Sequence, residues 1–502
     1  MTIIDLLNEM RNYGGPARTS GLSDEVILRF ANTDDQLSEA IENAHQMFMR
    51  LREDKPALLL MDEESQIREV QSGYVNFYAD DAINPFVALT GSGPWVVTLK
   101  GAVLHDSGGY GMIGFGHAPA AVLEVLARPH VMANVMTPNI SQMNLNDSLR
   151  KEIGHTQGAC PFDRFLCLNS GSEAVTVAAR ISDINAKLMT DPGGRYAGKE
   201  IRILSLKGSF HGRTDRPGQF SDSTRLNYSK HLATFRDRDK LITVEPNDVQ
   251  QLRQVFNWAE SNQIFIEAFF FEPVMGEGNP GLAINREFYD VAMNLTRKHG
   301  SILLVDSIQA GLRAHGVLSI IDYPGFETAE APDMETYSKA LNAGQYPLSV
   351  LAMTGRAANL YRKGIYGNTM TTNPRALDVA CTVLELLTPE LRQNIRLRGE
   401  EFLTRLRALQ EELGDRITGV QGTGLLFSVE LDSKRYKYCG IDSIEEFMRM
   451  QGIIVIHGGK NSLRYTPHFN ITSEEIDLLI DATRHAMLNG PVKVAASKAE
   501  AA

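Results

Sequence analysis

The chain has 502 residues, long enough for two or three domains or for one large and one small lobe. Its 43% hydrophobic and 22% charged side chains are the ordinary balance of a globular protein, so collagen-like, disordered and membrane-embedded classes are set aside. A formal charge of -11 argues against nucleic acid or an anionic membrane surface as the main partner, while leaving room for a local basic pocket.

In chain order, residues 1–12 mix acids and a base with apolar side chains and lack the apolar core of a signal peptide. No apolar stretch reaches the roughly 18 residues of a membrane helix. Residues 34–53 carry Leu37, Ile41, Ala44 and Met47 at helical spacing. Pro85 and the stretch 91–94 read as a boundary. From Asp163 onward short apolar runs alternate with amphipathic helices. Strands are predicted at 164–168, 201–206, 268–274 and 302–306, and helices at 172–188 and 287–299. These strands are near-continuously apolar rather than alternating, which points to a parallel sheet covered by helices on both faces. Past Pro374 come helices at 376–387 and 390–413, strands at 424–431 and 453–456, and a last helix at 474–488. That reads as a smaller α+β lobe. The domain reading is therefore 1–90 as an extension of unknown role, 91–160 leading in, 161–373 as the large domain, 374–490 as the small domain, and 491–502 as a disordered tail. Cys160, Cys167, Cys381 and Cys439 show no Cys-x-x-Cys spacing and read as reduced thiols, so a cytoplasmic protein without a metal site is expected.

The chemistry-bearing segments cluster where strands end. Asn169-Ser170-Gly171-Ser172-Glu173 opens a helix, where backbone N–H groups bind phosphate or a serine simply caps the helix; local sequence leaves both open. Phe210-His211-Gly212-Arg213-Thr214 follows a strand and offers an aromatic face with an arginine beside it. Glu272-Pro273-Val274-Met275-Gly276-Glu277-Gly278 brings two carboxylates among glycines. Asp306 ends an apolar run, a costly place for a carboxylate without a partner. Gln309 follows it, and Lys339 stands between small residues a short distance on. A lysine amine that holds an aldehyde as a Schiff base and a carboxylate that keeps a pyridine nitrogen protonated are what pyridoxal phosphate chemistry requires. Lys339 and Asp306 are the candidate pair. Thr369 precedes a helix, and Arg464 interrupts a strand-like run near the end of the chain. Gly109-Tyr110-Gly111-Met112-Ile113-Gly114 spells a dinucleotide fingerprint, but no acidic residue follows about 20 positions on and Pro119 delays the helix.

Taken together and in this order, the segments resemble the class III aminotransferases, from about Gly91 to Leu488. The resemblance implies an α/β protein of the pyridoxal-phosphate-dependent fold type I, with a large doubly wound, mainly parallel domain and a smaller α+β domain. It implies an aminotransferase that uses pyridoxal 5'-phosphate and moves an amino group from a primary, ω-type amine to a keto acid or aldehyde, in a homodimer with shared active sites. An isomerase on the same fold, or a non-catalytic homologue, is the alternative.

Residue by residue, it implies that Lys339 holds the cofactor aldehyde and shuttles a proton. Asp306 stabilises the pyridinium, Gln309 contacts the ring hydroxyl, and Phe210 stacks on the ring with His211 beside it. Gly171, Ser172 and Thr369 of the partner subunit hold the phosphate. Arg213 takes a distal carboxylate and Arg464 an α-carboxylate, with Glu277 pairing with Arg464 when that carboxylate is missing. Three departures stand out. Ser307 replaces the family's usual glutamate after the aspartate, Thr371 and Thr372 replace two glycines, and the N-terminal extension matches nothing in the family.

Overall fold

The computed structural model describes residues 1–131, 135–236 and 239–493, so the part of the expected disordered tail from 494 on lies outside it. The chain divides into two compact units. The larger comprises Ala120–Gly399 and Gly422–Leu426; the smaller comprises Met1–Pro119, Glu400–Gln421 and the chain from Phe427 onward. Residues 374–399, grouped with the small domain on sequence, thus pack within the larger unit. There the helix Pro374–Leu386 lies against Ile140–Glu152 and Ala120–Leu126.

The larger unit is built on a seven-stranded sheet. In spatial order its strands are Arg164–Leu168, Ser349–Met353, Met334–Tyr337, Ile302–Asp306, Ile264–Phe271, Glu200–Leu206 and Leu241–Val244. Only Ser349–Met353 runs antiparallel to its neighbours. Ile264–Phe271 and Ile302–Asp306 are buried at every position, which is why their sequences show no alternation. The helix Gly171–Thr190 buries Ala174, Val177, Ala178 and Ile181, the face read from its 3.6-residue period. That face packs with Leu168, Phe270, Leu304 and Leu351 in one core, each large side chain contributing about 2 kcal/mol by leaving water. Because the strands are parallel, their carboxyl ends and following loops gather on one edge, the edge where open α/β folds carry ligands.

The smaller unit holds a sheet of Ala88–Ser92, Trp95–Thr98, Val103–Asp106 and Ile453–Ile454. Two expectations are corrected here. The strand expected at 453–456 is broken at Val455: Ile453–Ile454 pairs in parallel with His105 and Asp106, while Ile456–Gly458 pairs antiparallel with Ser462–Tyr465 in a different sheet. A continuous apolar run cannot reveal a change of sheet, because both halves are buried. The helix at 34–53 is present as Asp35–Asp54, but Met47 is 44% exposed and Phe48 takes its place in the core with Leu37, Ala40, Ile41 and Ala44. Both positions fall within the spacing a 3.6-residue period allows, and packing chose the aromatic.

The N-terminal extension is bonded into this unit. Lys100 Nζ, on a 3% exposed residue, donates to the carbonyls of Gly15 (2.9 Å), Leu59 (3.3 Å) and Met61 (2.6 Å). Glu63 Oε2 accepts the backbone N–H groups of Arg18 and Thr19 at 2.7 and 2.8 Å, and Trp95 Nε1 donates to Asp34 Oδ2 at 2.7 Å. Buried carbonyls stripped of their donor are costly, so Lys100→Met is expected to lower stability by about 2 kcal/mol. A shift in the urea denaturation midpoint checks this, and an unchanged midpoint would mean that the extension is held by other contacts.

Candidate active site

At the carboxyl edge of the large sheet, Ser170 caps the helix Gly171–Thr190. Its Oγ accepts from Glu173 N at 3.3 Å, and Glu173 Oε2 accepts from Asn169 N and Ser170 N at 2.8 and 3.2 Å. The capping reading and the anion reading are compatible, since the first-turn N–H groups beyond the cap have no intrahelical acceptor. The two glycines here are packed too closely for any side chain. A Cβ on Gly171 would stand 2.7 Å from Ile308 Cδ1, and one on Gly212, at φ +112°, would stand 2.4 Å from Ser172 Oγ. Glu173 Oε1 also accepts from Tyr366 Oη at 2.7 Å and Asn368 Nδ2 at 2.9 Å.

Asp306 is buried at the end of its strand, as its sequence position suggested, and both its oxygens have partners. Oδ2 lies 2.8 Å from His211 Nδ1, and Oδ1 accepts from Thr336 Oγ1 at 3.1 Å and Ile308 N at 3.2 Å. His211 is thus neither a free catalyst nor an idle loop residue: it is fixed on Asp306, with its N–H on Ser221 Oγ at 2.8 Å. Phe210 N donates to Glu272 Oε2 at 3.0 Å, and the Arg213 guanidinium stands 5.4 Å from the Phe210 ring centre. Lys339 Nζ donates to Gln309 Oε1 from a backbone at φ +48°, a left-handed conformation that few non-glycine residues adopt.

The structure therefore brings together Gly171, Ser172, Phe210, His211, Asp306, Gln309 and Lys339. Other candidates lie outside these contacts. Thr369 is exposed, in a turn. Glu277 is half-buried and accepts from Ser223 Oγ at 3.5 Å. Arg464 belongs to the smaller unit, buried on its strand opposite Ser428, with its guanidinium 5.8 Å from the Tyr110 ring centre. Of the two threonines that replace glycines, Thr371 is buried and Thr372 holds φ +60°, the left-handed region where glycine sits without strain.

Glu272 is a site residue that sequence reasoning left unassigned. It directly follows a fully buried strand, much as Asp306 ends one, and that shared signal marks it. Its Oε1 accepts from Gly276 N at 2.9 Å. Burial pushes its pKa up to about 7; His211 opposes the shift and Asp306 adds to it.

The sequence profile of the family described as Aminotransferase class-III matches residues 77–487. The chain belongs to the class III aminotransferases. Among its relatives is an ornithine aminotransferase of Bacillus subtilis (strain 168), 27% identical over 408 residues, covering 81% of this chain and 94% of that protein. Another, from Emericella nidulans, is 27% identical and covers 78% and 85%. In fold, the chain matches the ornithine aminotransferase of Toxoplasma gondii with a TM-score of 0.70 at 24% identity, covering 85% of this chain and 94% of that one; that protein was crystallized with partial occupancy of PLP at its active site. The acetylornithine aminotransferase of Elizabethkingia anophelis matches with a TM-score of 0.66 at 24% identity, covering 85% and 99%.

Class III aminotransferases depend on pyridoxal 5'-phosphate and transfer an amino group from an amine to a keto acid. The expectations of family, α/β fold, cofactor and reaction are therefore borne out. The residues present fit that cofactor. Among the described residues, His211 Nε2 and Gln309 Nε2 are buried without a hydrogen-bond partner, which leaves two polar atoms at this edge for a bound group to satisfy.

The raised pKa of Glu272 has a signed consequence. Between pH 4.5 and about 7 the folded protein binds more protons at this carboxyl than the unfolded chain does. Its contribution to stability is therefore complete below that window and lost across it as pH rises. Glu272→Gln removes this slope. Across the window, wild-type stability relative to the variant should fall by roughly 3 kcal/mol at most. Urea denaturation of both proteins over a pH series checks this, and a constant difference would place the carboxyl in an ordinary environment.

Proposed function

We propose that this aminotransferase takes its amino group from a primary ω-amine or ω-amino acid, passes it to a keto acid or aldehyde, and works in the cytoplasm as a homodimer with shared active sites. The observation that carries the site assignment is that Lys339 meets Gln309 and His211 meets Asp306 at one edge of one sheet. The relatives named for ornithine support an ω-amine donor, since ornithine's distal nitrogen is one. Exposed Val135, Met136, Ile140 and Met143 on the larger unit support a second copy as partner. The four free cysteines agree with a reducing compartment, and among the described residues no helix is long and apolar enough to cross a membrane.

When bound, pyridoxal 5'-phosphate supplies an aldehyde carbon and a ring that accepts electrons. Asp306, steadied by His211, Thr336 and the Ile308 N–H, holds a proton at the pyridine nitrogen. Gln309 presents Nε2 to the ring hydroxyl, and Phe210 offers its face to the ring. Gly171 and Ser172 hold the phosphate at the start of their helix, joined by Thr369 of the partner subunit. Lys339 Nζ takes the proton from the substrate carbon that bears the transferred amino group and carries it through the transfer.

Arg213 and Arg464 receive the distal and α-carboxylates. Lys339→Ala should abolish turnover with every donor, and residual transamination would remove it from its role. Arg464→Ala should lower kcat/KM for glutamate about thirtyfold, the equivalent of about 2 kcal/mol, and leave a simple amine nearly untouched. Equal losses for both would sink the assignment of Arg464.

A further inference from the structure

Glu335 is a fully buried carboxylate just before Lys339 in its segment, and nothing in the proposed chemistry uses it. It lies on the strand Met334–Tyr337, where it stands opposite Val305 while Thr336 stands opposite Asp306. Alternation along the strand puts Thr336 on the face that carries Asp306, where the two side chains bond, and sends Glu335 to the other face. There Oε1 accepts from Ser307 Oγ at 2.5 Å and from Ile320 N at 3.0 Å, and Oε2 accepts from Ser319 Oγ. Its donors in these bonds are neutral, and burial pushes its pKa up to about 7.

The places it holds are the ones the site depends on. Ser307 follows Asp306, and Ser319 and Ile320 close the segment that begins there and contains Gln309. One carboxylate thus ties both ends of that segment to the strand that leads into Lys339. Ser307 is also the position where the class III resemblance implies a glutamate, so a carboxylate missing from one strand returns to the same spot from its neighbour.

We infer that Glu335 is the positioning residue that sets Asp306 and Gln309 against Lys339, occupying from the adjacent strand the place of the carboxylate that Ser307 lacks. The inference rests on the roles proposed for Asp306, Gln309 and Lys339.

The test compares wild type, Glu335→Ser, the exchange Ser307→Glu with Glu335→Ser, and Asp306→Asn. Each is measured for pyridoxal 5'-phosphate affinity by absorbance titration, for kcat, and for Tm. Glu335→Ser is expected to weaken cofactor affinity and kcat by about tenfold each, the scale of a small misplacement in a tuned site. The exchange, which keeps the same atoms with the carboxylate on the other strand, is expected to recover most of both. If Glu335→Ser does not fold, Glu335→Gln serves in its place and is expected to show a smaller loss in the same two quantities.

Wild-type affinity and kcat in the folded Glu335 variant would overturn the inference. So would an exchange that recovers Tm while cofactor affinity stays where Glu335→Ser left it, because that pattern is packing alone. Asp306→Asn separates the two levels: if it binds the cofactor as wild type does, the role of Asp306 itself fails and this inference falls with it. If it binds poorly while the Glu335 variants behave as wild type, only the inference about Glu335 fails.

Discussion

The organisation of the larger unit follows from one buried carboxylate. Asp306 ends a strand whose every residue is buried, in the middle of a sheet covered on both faces. A carboxylate there requires donors, and each of its donors comes from a different part of the sheet edge: His211 from the loop after Glu200–Leu206, Thr336 from the adjoining strand, and the Ile308 N–H from its own turn. Those three contacts fix the loops that carry Phe210, Gln309 and Lys339. The parallel sheet brings these segments together because every strand but one delivers its following loop to the same edge.

Charge at this edge is arranged in depth. Glu272 and Glu335 are both fully buried and both have pKa values raised to about 7, with desolvation the leading cause. Glu272 sits on the site side, receiving the N–H of Phe210, while Glu335 lies on the opposite face of the sheet beneath Ser307. Asp306 between them has the histidine. A site that must hold a cationic ring nitrogen thus has acids at several depths, and Asp306 is the one bonded to the imidazole.

Much of this was legible in the sequence, and the failures have physical causes. Uninterrupted apolar runs identified parallel strands, and the glycine, aspartate and lysine motifs marked their ends, because backbone approach and buried charge leave few residue types to choose from. Met47 and Phe48 were exchanged because helical period defines a stripe rather than a single residue. The break at Val455 was invisible because a run buried in two successive sheets has the composition of one buried in one. Glu335 was missed because a carboxylate in mid-strand carries its meaning in three contacts distant in sequence. The extension was unreadable for another reason: its hold on the smaller unit depends on carbonyls of Gly15, Leu59 and Met61, which any residues would supply.

The most direct measurement is the absorbance spectrum of the purified protein with its cofactor, recorded before and after addition of glutamate, with 2-oxoglutarate assayed in the same sample. A yellow band that bleaches as 2-oxoglutarate appears in equal amount is the result expected of Lys339 and Asp306 working as a transaminase pair with Arg464 receiving the α-carboxylate. A protein that binds no pyridoxal 5'-phosphate, or that stays yellow with glutamate and with every ω-amine offered, would contradict it.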